Sequence, residues 1–190
     1  RAQSEVETFL IEEKRMAALS KYSQNLSWQR AAAAYQYRAG LASDVASGFS
    51  YASHHAPIDM VFAIYAQSSF TPGRNLIESV RDLMQRIHTE FKYESFSTDI
   101  STPALTVLGD KRGVCQDFAH VMLACLRSLG LAARYVSGYL LTEPPPGQPR
   151  LIGSDVSHAW ISLRIPNPTA IEGTESWYDF DPTNNRDGWS

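Results

Sequence analysis

Apolar and polar positions along the chain fall into two periods. The first part has helical spacing. Val6, Phe9, Leu10, Met16 and Ala17 lie near one helical face, with Glu12 to Arg15 largely off it. Ser27 then stands ahead of Trp28, Ala31, Ala32 and Tyr35, a second amphipathic set with a hydroxyl placed to cap it. Residues 1–47 therefore read as helix, and Ser47 to His55 as a loop. Pro57 to Ala66 reads as a short buried helix. Leu76, Ile77, Val80, Leu83, Met84, Ile87 and Phe91 form the clearest helical stripe in the chain, and Thr71-Pro72 offers a start signal for it. Ser101-Thr102-Pro103 repeats that signal and predicts a short helix to about Leu108. After the turn residues Gly109 to Gly113, a further helix carries Phe118, Ala119, Met122, Cys125, Leu126 and Leu129 on its core face and stops at Gly130.

Beyond Gly130 the period changes to two. Residues 134–141 alternate as a strand. Glu143 to Ser157, rich in Pro and Gly, reads as a long loop. His158 to Ile165 alternates again, with Ala159, Ile161, Leu163 and Ile165 on one face and His158, Trp160, Ser162 and Arg164 on the other. After a turn region, Ser176 to Asp181 forms a strand with Trp177, Asp179 and Asp181 on one face, and Pro182 ends it. Helices first and sheet afterwards is an α+β order. The chain divides into an N-terminal helical segment, 1–56, and a core, 57–190.

Composition narrows the function classes. At 190 residues and 44% hydrophobic content the chain can bury a substantial core, and 19% charged residues argues against disorder. A net charge of -3 supplies no basic field for nucleic acid and no polybasic membrane patch. No apolar run approaches the length of a membrane span. The chain opens on Arg1 rather than Met, as expected of an excised or processed fragment. Its two cysteines, Cys115 and Cys125, would lie about 15 Å apart on one helix, too far for a disulfide. Two reduced thiols fit a reducing compartment, or a chain that simply needs no bridges, and the expected location is the cytoplasm.

Position makes Cys115 chemically interesting. It falls in the first turn of its helix, where backbone N–H groups lack intrahelical partners and the helix dipole favours a thiolate. If the last two long strands pair as an antiparallel hairpin, the start of the first lies beside the end of the second, which brings His158 next to Asp181. One imidazole nitrogen then meets the carboxylate and the other is left for a thiol. Cysteine nucleophiles need this set of nucleophile, base and orienting group. Asp179 shares the face of Asp181, and alternation cannot separate the two.

Four stretches in order carry a resemblance: Gly113-Val114-Cys115-Gln116-Asp117-Phe118-Ala119-His120, Leu131 to Tyr139, His158-Ala159-Trp160, and Asp181-Pro182-Thr183-Asn184. Together they resemble the bacterial transglutaminase-like superfamily, over roughly residues 60–185. The resemblance implies a papain-like core, with Cys115 as nucleophile, His158 as general base and acid, and Asp181 orienting His158. Members are often described as candidate cysteine proteases. Many carry a β-rich domain where this chain has its helical residues 1–47, and many continue with further strands beyond the Asp181 motif. The expectation is an amide- or peptide-bond enzyme acting through a thioester on a protein or peptide, hydrolytic rather than amine-transferring. Transglutaminase-type acyl transfer to an amine, or a non-catalytic binding module retaining the fold, is the alternative. No cofactor is expected, and no Ca²⁺ site or paired-ligand metal spacing is visible.

Other residues read more plainly. Cys125 is core. Asp117 suits the positive end of the helix. His120 does not share a helical face with Cys115 and reads as packing or as a hydrogen bond to the sheet. His54-His55 reads as a solvated loop pair. Trp160 either walls the cleft or fills the core. Tyr93 reads as an ordinary aromatic more readily than as an oxyanion donor. The donor that can be named is the Cys115 backbone N–H.

Overall fold

A computed structural model of the chain describes residues 23, 25–37, 39, 44–95, 98–99, 101–139, 147, 157–166 and 177–188. The helix expected across Val6 to Ala17, most of the loop from Glu143 and the turn region before Trp177 lie outside the described residues. Five helices are described: α1 Trp28–Tyr35, α2 Met60–Gln67, α3 Leu76–Glu90, α4 Ala104–Asp110 and α5 Cys115–Ser128. A 3-10 turn, Val45–Ser50, follows α1. Strands β1 Lys92–Tyr93 and β2 Arg112–Gly113 pair in parallel. Strands β3 Ala133–Tyr139, β4 Ser157–Arg164, β5 Trp177–Asp181 and β6 Arg186–Asp187 form one antiparallel sheet in chain order. The fold is α+β, as the change of period predicts.

Local signals explain most element starts. Ser27 accepts from Arg30 N and caps α1. Asp59 caps α2 by accepting from Val61 N at 2.9 Å. The apolar stripe of α3 is buried from Leu76 to Ile87. Its start departs from expectation, because Asn75 rather than Thr71 is the cap, accepting from Glu78 N. Residues 71–74 are instead a turn tied to α1: Trp28 Nε1 donates to Thr71 O at 2.9 Å, and Leu76 N donates to Leu26 O at 2.9 Å. The turn expected across Gly109 to Gly113 is also shorter. Helix α4 runs through Asp110, Lys111 turns the chain at φ 50°, and Arg112 and Gly113 join the parallel pair.

Helix α5 organises the core. Ten of its fourteen residues are buried, from Asp117 to Arg127 excepting His120, which marks it as a central helix rather than a surface one. It packs against α2, α4, β3 and β4. Gly130, at φ 78°, ends the run just past the helix. Strand β4 departs from simple alternation: every residue from His158 to Arg164 is buried, because β3 and β5 flank it and both faces are covered. Described residues near the N-terminus share this core. Leu26, Ala31, Ala32 and Ala56 belong to the same cluster as Phe118 and Phe180, and the Tyr35 hydroxyl donates to Arg164 O at 2.8 Å.

Candidate active site

Cys115 is the first residue of α5, half-buried and unbridged. The preceding residue, Val114, is extended, and the first intrahelical bond runs from Phe118 N to Val114 O. The N–H groups of the first turn therefore have no intrahelical carbonyl to bind. Asp117 fastens the turn. Its buried carboxylate accepts from Val114 N at 2.8 Å and from the Thr98 hydroxyl at 2.5 Å. This is half of a capping box, since Val114 has no side-chain acceptor. Gly113 is required here by close approach: a Cβ at that position would lie 2.7 Å from Asp117 Oδ2. Asp117 thus works as a cap, as its place in the helix suggests.

The opposite wall comes from the sheet. The β4–β5 register pairs Ile161 with Phe180 and Ser162 with Asp179. Continued by one residue, it sets Asp181 across from Trp160 and diagonal to His158 on one face. His158 Nε2 meets Asp181 Oδ2 at 2.8 Å, with both side chains almost fully buried. The turn after β5 holds the carboxylate. Its Oδ1 accepts from Thr183 N at 2.9 Å and Asn184 N at 3.3 Å, and its Oδ2 also accepts from Asn184 Nδ2 at 2.7 Å. His88, from α3, bonds Thr183 O through Nδ1 at 2.9 Å and anchors that turn to the helices.

The other ring nitrogen, Nδ1 of His158, is buried and makes no hydrogen bond of its own. Cys115 is nonetheless near enough to act on the ring. Burial pushes the imidazole towards its neutral form, but Asp181 and then Cys115 outweigh it, and the His158 pKa is raised to about 9. The thiol–imidazole approach is therefore looser than a formed hydrogen bond, though close enough to be felt. The structure brings Cys115, His158 and Asp181 together at one place, with Cys115 the most accessible of them.

Asp179 is separated from this group. It accepts from Trp160 Nε1 at 3.0 Å, whereas His158 bonds Asp181. The Trp160 ring stacks beside His158, with centroids 6.1 Å apart and planes at 23°. It is at once buried packing and a wall of the site. Tyr93 lies nearby, its ring edge-on to Phe118. Burial, then the charges of Cys115 and Asp117, raise its pKa, and Tyr135 responds to the same three causes. Cys125 is fully buried, and burial pushes its thiol pKa up.

His120 packs as expected but with an unexpected partner. It stacks on His55 at 5.0 Å and 8° and lies 5.1 Å from the Tyr135 ring. The His54-His55 pair is exposed as predicted, yet His55 is not merely solvated. Among the described residues no group of three or more His, Cys, Asp or Glu side chains is arranged to hold a metal ion. None of the helices among the described residues is long and apolar enough to cross a membrane.

Sequence reading passed over the parts played by Asn184 and His88. Asn184 had a local signal, since Asp-x-x-Asn at a strand end suits a turn in which side chains bind nearby backbone. His88, exposed on α3, carried none.

The family model of the transglutaminase-like superfamily matches residues 63–182, and the chain belongs to that superfamily. Uncharacterized proteins of Mycobacterium tuberculosis and Mycobacterium bovis are 48% identical over 148 residues, which covers 78% of this chain and 46% of theirs. The chain thus spans about half the length of these relatives. A protein-glutamine gamma-glutamyltransferase of Pseudomonas aeruginosa is 30% identical over 112 residues, 55% of this chain and 15% of that protein. Among solved structures, a candidate cysteine protease from Cytophaga hutchinsonii aligns with a TM-score of 0.57 at 28% identity, covering 76% of this chain and 43% of that one. These likenesses, with the mixed helix and sheet architecture, fit an enzyme of the transglutaminase-like superfamily.

Proposed function

We propose that this chain is a cysteine-dependent amide- or peptide-bond hydrolase with Cys115 as nucleophile, His158 as acid and base, and Asp181 as the group that orients His158. The observation that carries the reading is the buried His158–Asp181 contact at 2.8 Å, made through Nε2, which leaves Nδ1 for a cysteine at a helix start. A raised imidazole pKa supports it, since a stable imidazolium is the natural counter-ion of a thiolate. A loose thiol–imidazole approach is ordinary before substrate enters.

In this mechanism the Cys115 sulfur attacks the amide carbonyl carbon. The tetrahedral oxyanion forms beside the Cys115 N–H, which is aimed from the helix start. The C–N bond breaks, His158 passes its proton from Nδ1 to the leaving amine, and a thioester remains. Water, deprotonated by His158, then attacks the thioester carbon and releases the acid and the thiol. The substrate is a protein or peptide. Hydrolysis is favoured because Cys115 is only partly buried, and because the Cytophaga hutchinsonii relative in structure is a candidate cysteine protease.

A second reading rests on the Pseudomonas aeruginosa relative. There an amine, in place of water, resolves the thioester, and the same three residues serve. Mass spectrometry of a glutamine-containing peptide, with and without a primary amine, separates the two. Cleavage or deamidation that persists in excess amine supports hydrolysis, and an amine adduct supports transfer. Thiol labelling tests the site beneath both readings. Iodoacetamide should label Cys115 near neutral pH faster than a free thiol and lose that advantage in His158→Ala. Labelling at the rate of a free thiol would leave only a binding module.

A further inference from the structure

An open groove of about 330 Å³ begins at Gln116, the residue next to Cys115, and runs along α5. One wall is the stacked pair His55 and His120, and Tyr135 of β3 faces them. Leu123 and Ala56 line its deeper part.

The groove is built in advance of any ligand. Ser53 and Ala56 exchange backbone hydrogen bonds at 3.0 and 3.2 Å, which closes the loop carrying His55. Arg127 ties that loop to the helix and sheet: its Nη1 donates to Ser53 Oγ at 3.0 Å, while Nε and Nη2 donate to Ala133 O. A fixed wall costs little ordering on binding. The lining also selects by charge. Burial, then the proximity of His55 and Arg127, lowers the His120 pKa to about 4, so its ring is neutral at neutral pH. Arg127 is buried and its guanidinium is engaged as a strut, so it repels cations while offering little to an anion. What remains for a ligand is the outer edges of three rings packed on one another and an aliphatic floor, surroundings against which another ring can lie edge to face.

We propose that this groove is a substrate subsite that receives an aromatic side chain of the peptide residue adjoining the amide attacked by Cys115. The subsite's tie to catalysis rests on the function proposed above, and its binding of a ring does not. Gln116, standing between thiol and groove, is placed to meet the peptide backbone as it passes from one to the other.

Two measurements test this. The first uses acetyl-Phe, acetyl-Asp and acetyl-Lys chloromethyl ketones, in which the Cys115 sulfur displaces chloride. The Phe reagent should alkylate Cys115 about tenfold faster than the others. His55→Ala and His120→Ala should remove most of that preference, read as the ratio of the Phe rate to the Asp and Lys rates within each variant. Equal rates for the three reagents, or a faster Asp reagent, overturn the proposal. The second uses Cys115→Ala titrated with acetyl-Phe-amide, acetyl-Asp-amide and acetyl-Lys-amide while the ring resonances of His55, His120 and Tyr135 are followed by NMR. Shifts with the Phe compound alone support the subsite, and their absence overturns it. Slow iodoacetamide labelling of the wild type would count against the proposed function. The titration would still decide the groove.

Discussion

Replacing Asp181 with Asn tests the site at its most constrained point. The carboxylate Oδ1 is held by two backbone donors, Thr183 N and Asn184 N, while Oδ2 receives His158 Nε2 and Asn184 Nδ2. An amide in that place must turn its oxygen to the two backbone N–H groups. Its NH₂ then faces His158 Nε2, donor against donor unless the imidazole gives up that proton. The neutral ring must carry its proton on Nδ1, facing Cys115, and can no longer accept one from the thiol. The imidazolium loses the charge that outweighs burial. A thiolate that no longer forms cannot hold it either. The His158 pKa should fall from about 9 to its ordinary 6.5 or below, worth about 3 kcal/mol or roughly a few hundredfold in imidazolium stability. Nitrogen NMR of the ring reports both the titration and the tautomer. Iodoacetamide alkylation at neutral pH should slow by up to about the same few hundredfold. A variant that still titrates near 9, or alkylates within about twofold of wild type, would refute the account.

Asp179→Asn makes the matching control, because an amide oxygen still accepts from Trp160 Nε1; His158 titration and alkylation should stay at wild-type values, and a loss like that of Asp181→Asn would reverse the assignment. The raised His158 pKa also predicts how stability follows pH. The imidazolium's contribution is complete below the unfolded value of about 6.5 and is lost as pH rises through about 9, an effect of at most about 3 kcal/mol. Urea unfolding of wild type and His158→Ala should converge over that window, apart from a constant offset for the missing ring, and a gap that ignores pH would remove the claim. Gly113→Ala drives a methyl into the buried Asp117 carboxylate and should cost about 1–3 kcal/mol and disturb the helix start, measurable as a lowered Tm and slower Cys115 alkylation. Phe180→Ala, which empties a fully buried ring site at the sheet, should cost about 3–5 kcal/mol in urea unfolding.

How far a feature could be read in the chain depended on the range of the interaction behind it. Helix α3 and helix α5 were visible because an apolar stripe at helical spacing is a local pattern, and the Ser27 cap because its acceptor and donor lie three residues apart. The start of α3 was misplaced for the opposite reason. Thr71-Pro72 and Asn75 are both sound local signals, and the choice was made by Trp28 and Leu26, which hydrogen-bond residues 71–76 from another part of the chain. The two-sided burial of β4 was likewise hidden. Alternation shows which residues share a face, but it does not show what covers the polar one.

The site divides along the same line. By itself the sequence determined that a cysteine opens a buried helix, that a histidine and two aspartates stand on strands able to pair, and which superfamily shares those motifs. Alternation left Asp179 and Asp181 on one face, and only position beside His158 and the superfamily motif favoured Asp181. Tertiary structure separated them, because the β4–β5 register sets one beside the His158 ring and the other beside the Trp160 indole. Only the packed molecule set His55 on His120, across 65 residues of chain, and opened a groove beside the thiol. Contacts of that span exist only once helix and sheet have closed on one core, so no window of sequence contains them.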